Sequence, residues 1–264
     1  MADMKLLTRR AAIAAGFGGA GLLLAGADRL TLSPGFAHVF RAIEDWTMAT
    51  QRGLLYPDKL AKEYSPSDIS PVFRANGTLD PDTVEYAAHI RQGFVNWRLR
   101  IDGLVHQPLA LSVRELKLLP NRTQITRHDC VEGWSAIGMW TGVPLGLLLK
   151  AAGLKAGARY AVFHCADNLD GEPSKGGEQS PGQYYESIAL RDAFHPQTLM
   201  AYALNGKPLD VEHGAPLRLR VERQLGYKQA KYVERIEITD RFLQIAGGRG
   251  GYWEDRGYEW YAGI

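Results

Sequence analysis

The chain is 264 residues long, 45% hydrophobic and 23% charged, with a formal net charge of +2. This is ordinary globular composition, long enough to bury a substantial core, and one main domain is the default expectation. The near-neutral balance excludes binding to polyanions such as nucleic acid by bulk electrostatics, so any cationic site must be local.

The chain opens with Lys5 and Thr8-Arg9-Arg10, followed by a run from Ala11 to Ala27 that is almost wholly Ala, Gly, Leu, Ile and Phe. Paired arginines before a weakly apolar stretch predict twin-arginine export, with Ala25-Gly26-Ala27 as the small-x-small cleavage pattern and a mature start near Asp28. The run is short and glycine-rich for a membrane span; without cleavage it would leave the protein membrane-associated. Residues 28–66 carry helical spacing in Val39, Ile43, Trp46 and Met48, which predicts a helical N-terminal extension. The turn-rich stretch from Ser65 to Pro71 marks entry into a catalytic domain spanning residues 67–264.

Within that domain, Trp97 to Gly103 alternates apolar and polar residues and stops at Asp-Gly, the pattern of a half-buried strand. Further strands are predicted at Thr123 to Arg127, Arg159 to His164, Leu217 to Val221 and Tyr232 to Thr239. Ser112 to Leu119 and Val143 to Ala152 have helical spacing, and Pro144 suits a first turn. The outcome is an α+β domain with more strand than helix. The tail from Gly247 to Ile264 is rich in glycine and aromatic residues. It reads either as a packed cap or as a docking surface for a redox partner.

The chain has two cysteines, Cys130 and Cys165. In an oxidising compartment the pair reads as a structural disulfide, which would make the chain a non-catalytic periplasmic module. His128-x-Cys130 and His164-Cys165 offer zinc-type donors, but their spacing matches neither C-x-x-C nor H-x-x-x-H. Gln124 to Ser135 reads Gln-Ile-Thr-Arg-His-Asp-Cys-Val-Glu-Gly-Trp-Ser, placing Cys130 at a strand end beside Arg127 and His128. Cationic neighbours favour a thiolate, and a thiolate is a soft metal ligand. From the residues alone, Cys130 is a reactive or ligating cysteine.

The segment from Arg127 to Ser135, a second tryptophan at Trp140 and Gly142-Val143-Pro144-Leu145 resemble the cofactor-cysteine region of bacterial sulfite oxidase-like molybdoenzymes. The resemblance continues in the family's order through Phe73-Arg74-Ala75-Asn76-Gly77, Tyr184-Tyr185-Glu186-Ser187-Ile188, the stretch Leu199 to Gly206, His213-Gly214-Ala215-Pro216-Leu217-Arg218, and Gly226 to Tyr232. It covers most of the chain from Ser70 to Asp240.

This resemblance implies a sulfite oxidase-type domain of mixed sheets with peripheral helices, carrying Mo-molybdopterin with one molybdenum per chain. It implies that Cys130 is the metal ligand. Phe73, Arg74, Ala75, Cys165, His213, Arg218, Lys228, Gln229, Ala230 and Lys231 are the implied cofactor contacts. A guanidinium and compact ammonium groups suit the cofactor's phosphate, while Gly214 and Gly226 permit close backbone approach. Arg218, Arg220 and Arg223 would otherwise form a solvated cationic face; the family pattern moves Arg218 to the cofactor and leaves Arg220 and Arg223 at the surface. Cys130, Arg127 and His128 are the candidate catalytic residues, with Asp129 and Glu132 beside them, and Trp134 and Trp140 are expected in the core or pocket wall.

The implied reaction is two-electron oxygen-atom transfer on a small sulfur-containing substrate: sulfite oxidation first, reduction of an S-oxide such as methionine sulfoxide as the alternative. With no recognisable haem domain or added dimerisation domain, the expectation is a monomeric catalytic subunit in the periplasm. Its electrons would be exchanged with a separate protein, a membrane cytochrome b or a soluble cytochrome c. Export of the folded chain would preserve a cofactor inserted in the cytoplasm, so the signal and the cysteine motif support each other.

Overall fold

The computed structural model describes residues 59–170 and 182–264. The export signal and most of the expected helical extension lie outside the described residues.

In chain order the elements are α1 (Val84–Arg91), β1 (Leu99–Gly103), β2 (Leu109–Leu111), α2 (Val113–Leu118), β3 (Arg122–Asp129), β4 (Ser135–Pro144) and α3 (Leu145–Ala152). They continue with β5 (Tyr160–Asn168), β6 (Gln183–Ala189), α4 (Leu190–Ala193), β7 (Leu199–Leu204), β8 (Lys207–Pro208), β9 (Arg218–Arg220) and β10 (Val233–Thr239). One five-stranded sheet has the order β2-β1-β10-β5-β6, and its β1–β10 pair is parallel. The second runs β3-β4-β7-β8, with β9 also paired to β7. This is the expected α+β architecture.

Local chemistry explains the helices that frame the sheets. Ser112 and Glu115 cap α2 reciprocally, the Glu115 amide donating to Ser112 Oγ at 3.2 Å and the Ser112 amide to Glu115 Oε2 at 2.8 Å. Helix α3 begins after Pro144 and stops at Gly153, where φ is +66°. Its buried positions Leu145, Leu148, Leu149 and Ala152 fall on one face. They join Leu99, Ile101, Val162, Phe163, Ile236 and Ile238 of the first sheet in the main core. Burying each such aliphatic or aromatic side chain contributes about 1.5–3 kcal/mol. A second core forms on the other sheet around Phe73 and Trp140.

Two expectations change. Residues 59–65 are not helical: the Tyr64 amide donates to the Ile125 carbonyl at 2.9 Å, and Glu63 bridges to Thr126 and pairs with Arg122. The edge of β3 leaves backbone groups unpaired, and this segment satisfies some of them. The helix expected from Val143 starts two residues later, because Val143 and Pro144 complete the long strand β4.

Candidate active site

Strand β3 ends at Asp129 and β4 begins at Ser135, so Cys130 opens the hairpin loop between them. The Cys130 amide donates to the Trp134 carbonyl at 2.9 Å, the Gly133 amide to the Cys130 carbonyl at 3.1 Å, and Gly133 supplies the positive φ of +84° that closes the turn. The backbone amides of Glu132 and Val131 face the Cys130 sulfur. Burial nevertheless pushes the thiol pKa up, and the Glu132 carboxylate adds to the effect; the Arg74 charge opposes it more weakly.

The expected cationic activation by Arg127 and His128 is therefore not what the fold provides. Alternate residues of a strand face opposite sides, and Arg127 points outward, its side chain 53% exposed and paired with Asp129 at 2.9 Å. His128 points inward and is fully buried. Its Nδ1 accepts from Arg220 Nη1 at 3.0 Å, because a guanidinium can only donate, which leaves the proton on Nε2. Burial first, then the charges of Arg220 and Arg218, hold this imidazole neutral well below its usual range. Neither Arg127 nor His128 activates the sulfur, and a metal bound there would displace the Cys130 proton.

Cys130 borders a cavity of about 260 Å³. Glu132 comes from the same hairpin, Asn76 to Thr78 from an upstream loop, and Gln229 to Lys231 from the loop before β10. Asp167 enters from the end of β5, Trp253 and Tyr258 from the C-terminal tail. Ends of both sheets thus meet at one opening.

The upstream loop meets the cavity through Asn76, Gly77 and Thr78, one step beyond the expected Phe73, Arg74 and Ala75. Phe73 instead packs behind the site, its ring 5.8 Å from His128 and 5.1 Å from Trp140. Arg74 lies 5.5 Å over Trp134, and Ala75 is half-buried. His213 does not line the cavity; its Nε2 donates to the Phe73 carbonyl at 2.9 Å and its Nδ1 faces Asp210 at 2.6 Å, so it fastens this loop.

The basic residues separate into two kinds. Lys228 is fully buried and shared between Glu186, at 2.6 Å, and Glu254. Burial works against its charge, but the two carboxylates outweigh that and raise its pKa. Its ammonium faces these partners, away from the cavity-lining role expected of it. Arg220 is buried too, against the expectation of a solvated face, and makes a two-pronged pair with Glu222 at 3.0 and 2.6 Å while holding His128. Lys231 lines the cavity, its Nζ donating to the carbonyls of Thr78 and Glu212. Burial and then the Arg218 charge bring its pKa down to about 7. Arg218 donates to the carbonyls of His213 and Gln229 at 3.0 and 3.2 Å and stacks 5.0 Å over Trp140. It has no carboxylate within ion-pair distance among the described residues, its Nε is unpartnered, and burial followed by repulsion from Arg220 pulls its pKa to about 9. Gly226 gives close approach, but to His128 rather than to a ligand: a Cβ there would lie 2.6 Å from Nε2.

Cys165 is 1% exposed and belongs to the main core. Both cysteines are free, so the disulfide-stapled module is not what this chain forms. Among the described residues no group of three or more His, Cys, Asp or Glu is placed to hold a metal. A lone sulfur beside a cavity suits a metal whose other ligands arrive with a cofactor. The buried, unpartnered atoms Asp167 Oδ1 and Gln229 Oε1 belong to residues that line the cavity and fit a group rich in hydrogen-bonding atoms, whereas Arg218, whose Nε is also buried and unpartnered, is not among the lining residues.

Residues 87–244 match the family described as "Oxidoreductase molybdopterin binding domain". The chain belongs to this family: it is a molybdopterin-dependent oxidoreductase of the sulfite oxidase superfamily, with that superfamily's α+β fold and Mo-molybdopterin as its cofactor. More particularly, it is similar to a putative protein-methionine-sulfoxide reductase subunit YedZ1 of Azospira oryzae, 36% identical over 222 residues, which are 84% of this chain and 75% of that protein. It is also 36% identical over 151 residues to the protein-methionine-sulfoxide reductase catalytic subunit MsrP of Xanthomonas axonopodis pv. citri, covering 57% of this chain and 47% of that one. The chain therefore spans about half the length of this second relative. The sulfane dehydrogenase SoxCD from Paracoccus pantotrophus matches at 26% identity with a TM-score of 0.47, over 55% of this chain and 39% of that chain.

Asn76 and Gly77 belong to the upstream motif that the sequence singled out, whereas Thr78, Asp167, Trp253 and Tyr258 were not singled out as cavity residues. Asp167 did carry a signal, as a carboxylate closing the apolar run of β5. Trp253 and Tyr258 lie beyond the family match and reach the cavity only through tertiary packing.

Proposed function

We propose that the protein is an exported reductase of sulfoxide sulfur, acting on methionine sulfoxide, and not a sulfite oxidase. Two relatives named for protein-methionine-sulfoxide reduction support the substrate class. The observation in this chain that carries it is Glu132: its carboxylate lines the cavity at Cys130, and its effect on the sulfur exceeds that of Arg74. A dianion such as sulfite is repelled by that arrangement, whereas a neutral sulfoxide is not. The aromatic rings of Trp253 and Tyr258 complement a thioether.

Cys130 would hold the metal, Arg218 the phosphate, and Lys231 and Gln229 the pterin. When bound, the molybdenum cofactor supplies the two-electron oxygen-atom exchange. The chain's own part is to orient the substrate and to hold protons. Reduction of R–S(=O)–CH3 to R–S–CH3 consumes two electrons and two protons and releases water; Glu132 is placed to pass a proton at this opening. The electrons come from a separate redox protein, and the naming of one relative as a subunit supports a dedicated partner. Paired arginines at Arg9 and Arg10 support twin-arginine export to the periplasm.

The test uses protein from a molybdate-replete, cofactor-competent host. Near-stoichiometric molybdenum and reduction of methionine sulfoxide by a reduced viologen dye are expected. Oxidation of sulfite without any sulfoxide reduction would overturn the reading.

A further inference from the structure

The tail after β10 packs between two of the segments that frame the cavity. Gly251 bridges to Glu186 at the edge of β6, and the Tyr252 amide donates to the Tyr185 carbonyl at 2.9 Å. On the other side Tyr227 Oη donates to the Glu259 carbonyl at 2.7 Å and the Leu225 amide to the Ala262 carbonyl at 2.9 Å, along the loop that continues to Gln229 and Lys231. Between these two seams lies a single 3-10 turn, Glu254–Arg256. Gly257, at φ +102°, reverses the chain after it. The Tyr258 amide thereby donates to the Trp253 carbonyl at 3.0 Å, and the two rings stand 5.2 Å apart at 30°. Both rings line the cavity at Cys130, and Tyr258 is 43% exposed.

Glu254 anchors this turn from inside. It is 1% exposed and meets Lys228, which Glu186 also holds at 2.6 Å. A side chain at position 251 would run into both carboxylates, so the glycine there is part of the seat. A fully buried ion cluster is a poor route to stability, because apolar packing of similar volume does as well or better; what it can add is register. Here the register would join the turn bearing Trp253 and Tyr258 to the residue next to Gln229.

We propose that the tail is the substrate wall of the site: Trp253 and Tyr258 take the methyl–sulfur end of the sulfoxide, and Glu254, seated on Lys228, is the positioning residue that holds them there. Sulfur is polarisable and its methyl group apolar, and aromatic rings attract both. The proposal rests on the sulfoxide-reductase reading and adds the residues that set affinity. All three lie beyond residues 87–244, so the family match does not assign them.

The test measures kcat and KM for methionine sulfoxide with a reduced viologen as electron donor, in holoenzyme from the cofactor-competent host. Pterin content is followed as its fluorescent oxidation product. Tyr258→Ala and Trp253→Leu should each raise KM about five- to tenfold, the upper range of one sulfur–ring contact. The change in kcat should be smaller, because the contact is lost from bound substrate and transition state alike. Glu254→Gln should raise KM in the same way with full pterin content; it leaves Lys228 matched one to one by Glu186, so the fold is expected to survive. Added to a protein already carrying both ring substitutions, Glu254→Gln should change KM no further, since it acts only through the rings. A KM within about twofold of the parent in the ring variants overturns the wall, and so does pterin loss in them, which would assign the rings to the cofactor. An additive effect of Glu254→Gln, or its failure to fold, makes Glu254 scaffold and overturns its positioning role. If the parent reduces no sulfoxide, the functional reading falls and this proposal with it; a parent that does so, beside unchanged ring variants, breaks the wall alone.

Discussion

Arg220 and Arg218 stand two residues apart on β9, both buried and both over Trp140, yet their surroundings are opposite. Arg220 is matched by Glu222, which also accepts from Gln124 at 2.9 Å, and with His128 it makes a closed network beneath the hairpin of Cys130. Arg218 is given two backbone carbonyls, and no carboxylate stands within ion-pair distance of it among the described residues. The same division recurs between Lys228, shared by Glu186 and Glu254, and Lys231, which meets carbonyls at the cavity wall. Partnering, more than burial, thus separates cations matched by carboxylates from cations that meet only backbone carbonyls. A buried charge whose counter-charge is missing from the chain points to one that arrives from outside.

The sharpest way to break this division is at Glu222. Glu222→Ala strands the Arg220 charge in the interior and should cost about 3–5 kcal/mol in chemical denaturation. A loss under about 1 kcal/mol, the scale of a surface ion pair, would show that Arg220 is not held as described. The complementary change, Arg218→Met, removes a charge that the protein itself leaves unmatched. The cofactor-free chain should then melt no lower than its parent, while molybdenum content falls about tenfold or more.

Gly226→Ala tests the geometry between the two sets. Its Cβ would come within 2.6 Å of His128 Nε2, and the adjustment should cost about 1–3 kcal/mol in thermal unfolding. The smallest effect concerns pH. Lys231 has its folded pKa lowered to about 7 from 10.5, so the unfolded chain binds more protons between those values and stability gains from this group as pH rises. Subtracting Lys231→Met from the parent across pH 7 to 9 should isolate that upward slope; equal slopes would place the ammonium in solvent.

Much of the fold was legible because it rests on local pattern. The alternation from Trp97 to Gly103, the Ser112 and Glu115 pair and the leucine face after Pro144 each specify an element through interactions a few residues apart. Strand β4 escaped notice because its buried positions Ala136, Gly138 and Gly142 are small residues, which leave little apolar alternation to read in the sequence. In the site, Cys130 and the loop from Gln229 to Lys231 were found by their ordered resemblance to a family. The orientations of Arg127 and His128 were misjudged because adjacency in sequence places strand neighbours on opposite faces.

By itself, then, the sequence determined the family, the candidate cysteine Cys130 and the repertoire of charges. Only the tertiary structure decided which charges are matched, since Glu222, Glu186 and Glu254 reach their partners through strand pairing and a returning tail. It alone brought Asp167, Trp253 and Tyr258 to one cavity with Cys130. Partnering depends on distances between residues far apart in the chain, and burial sets how strongly each unmatched group calls for a ligand.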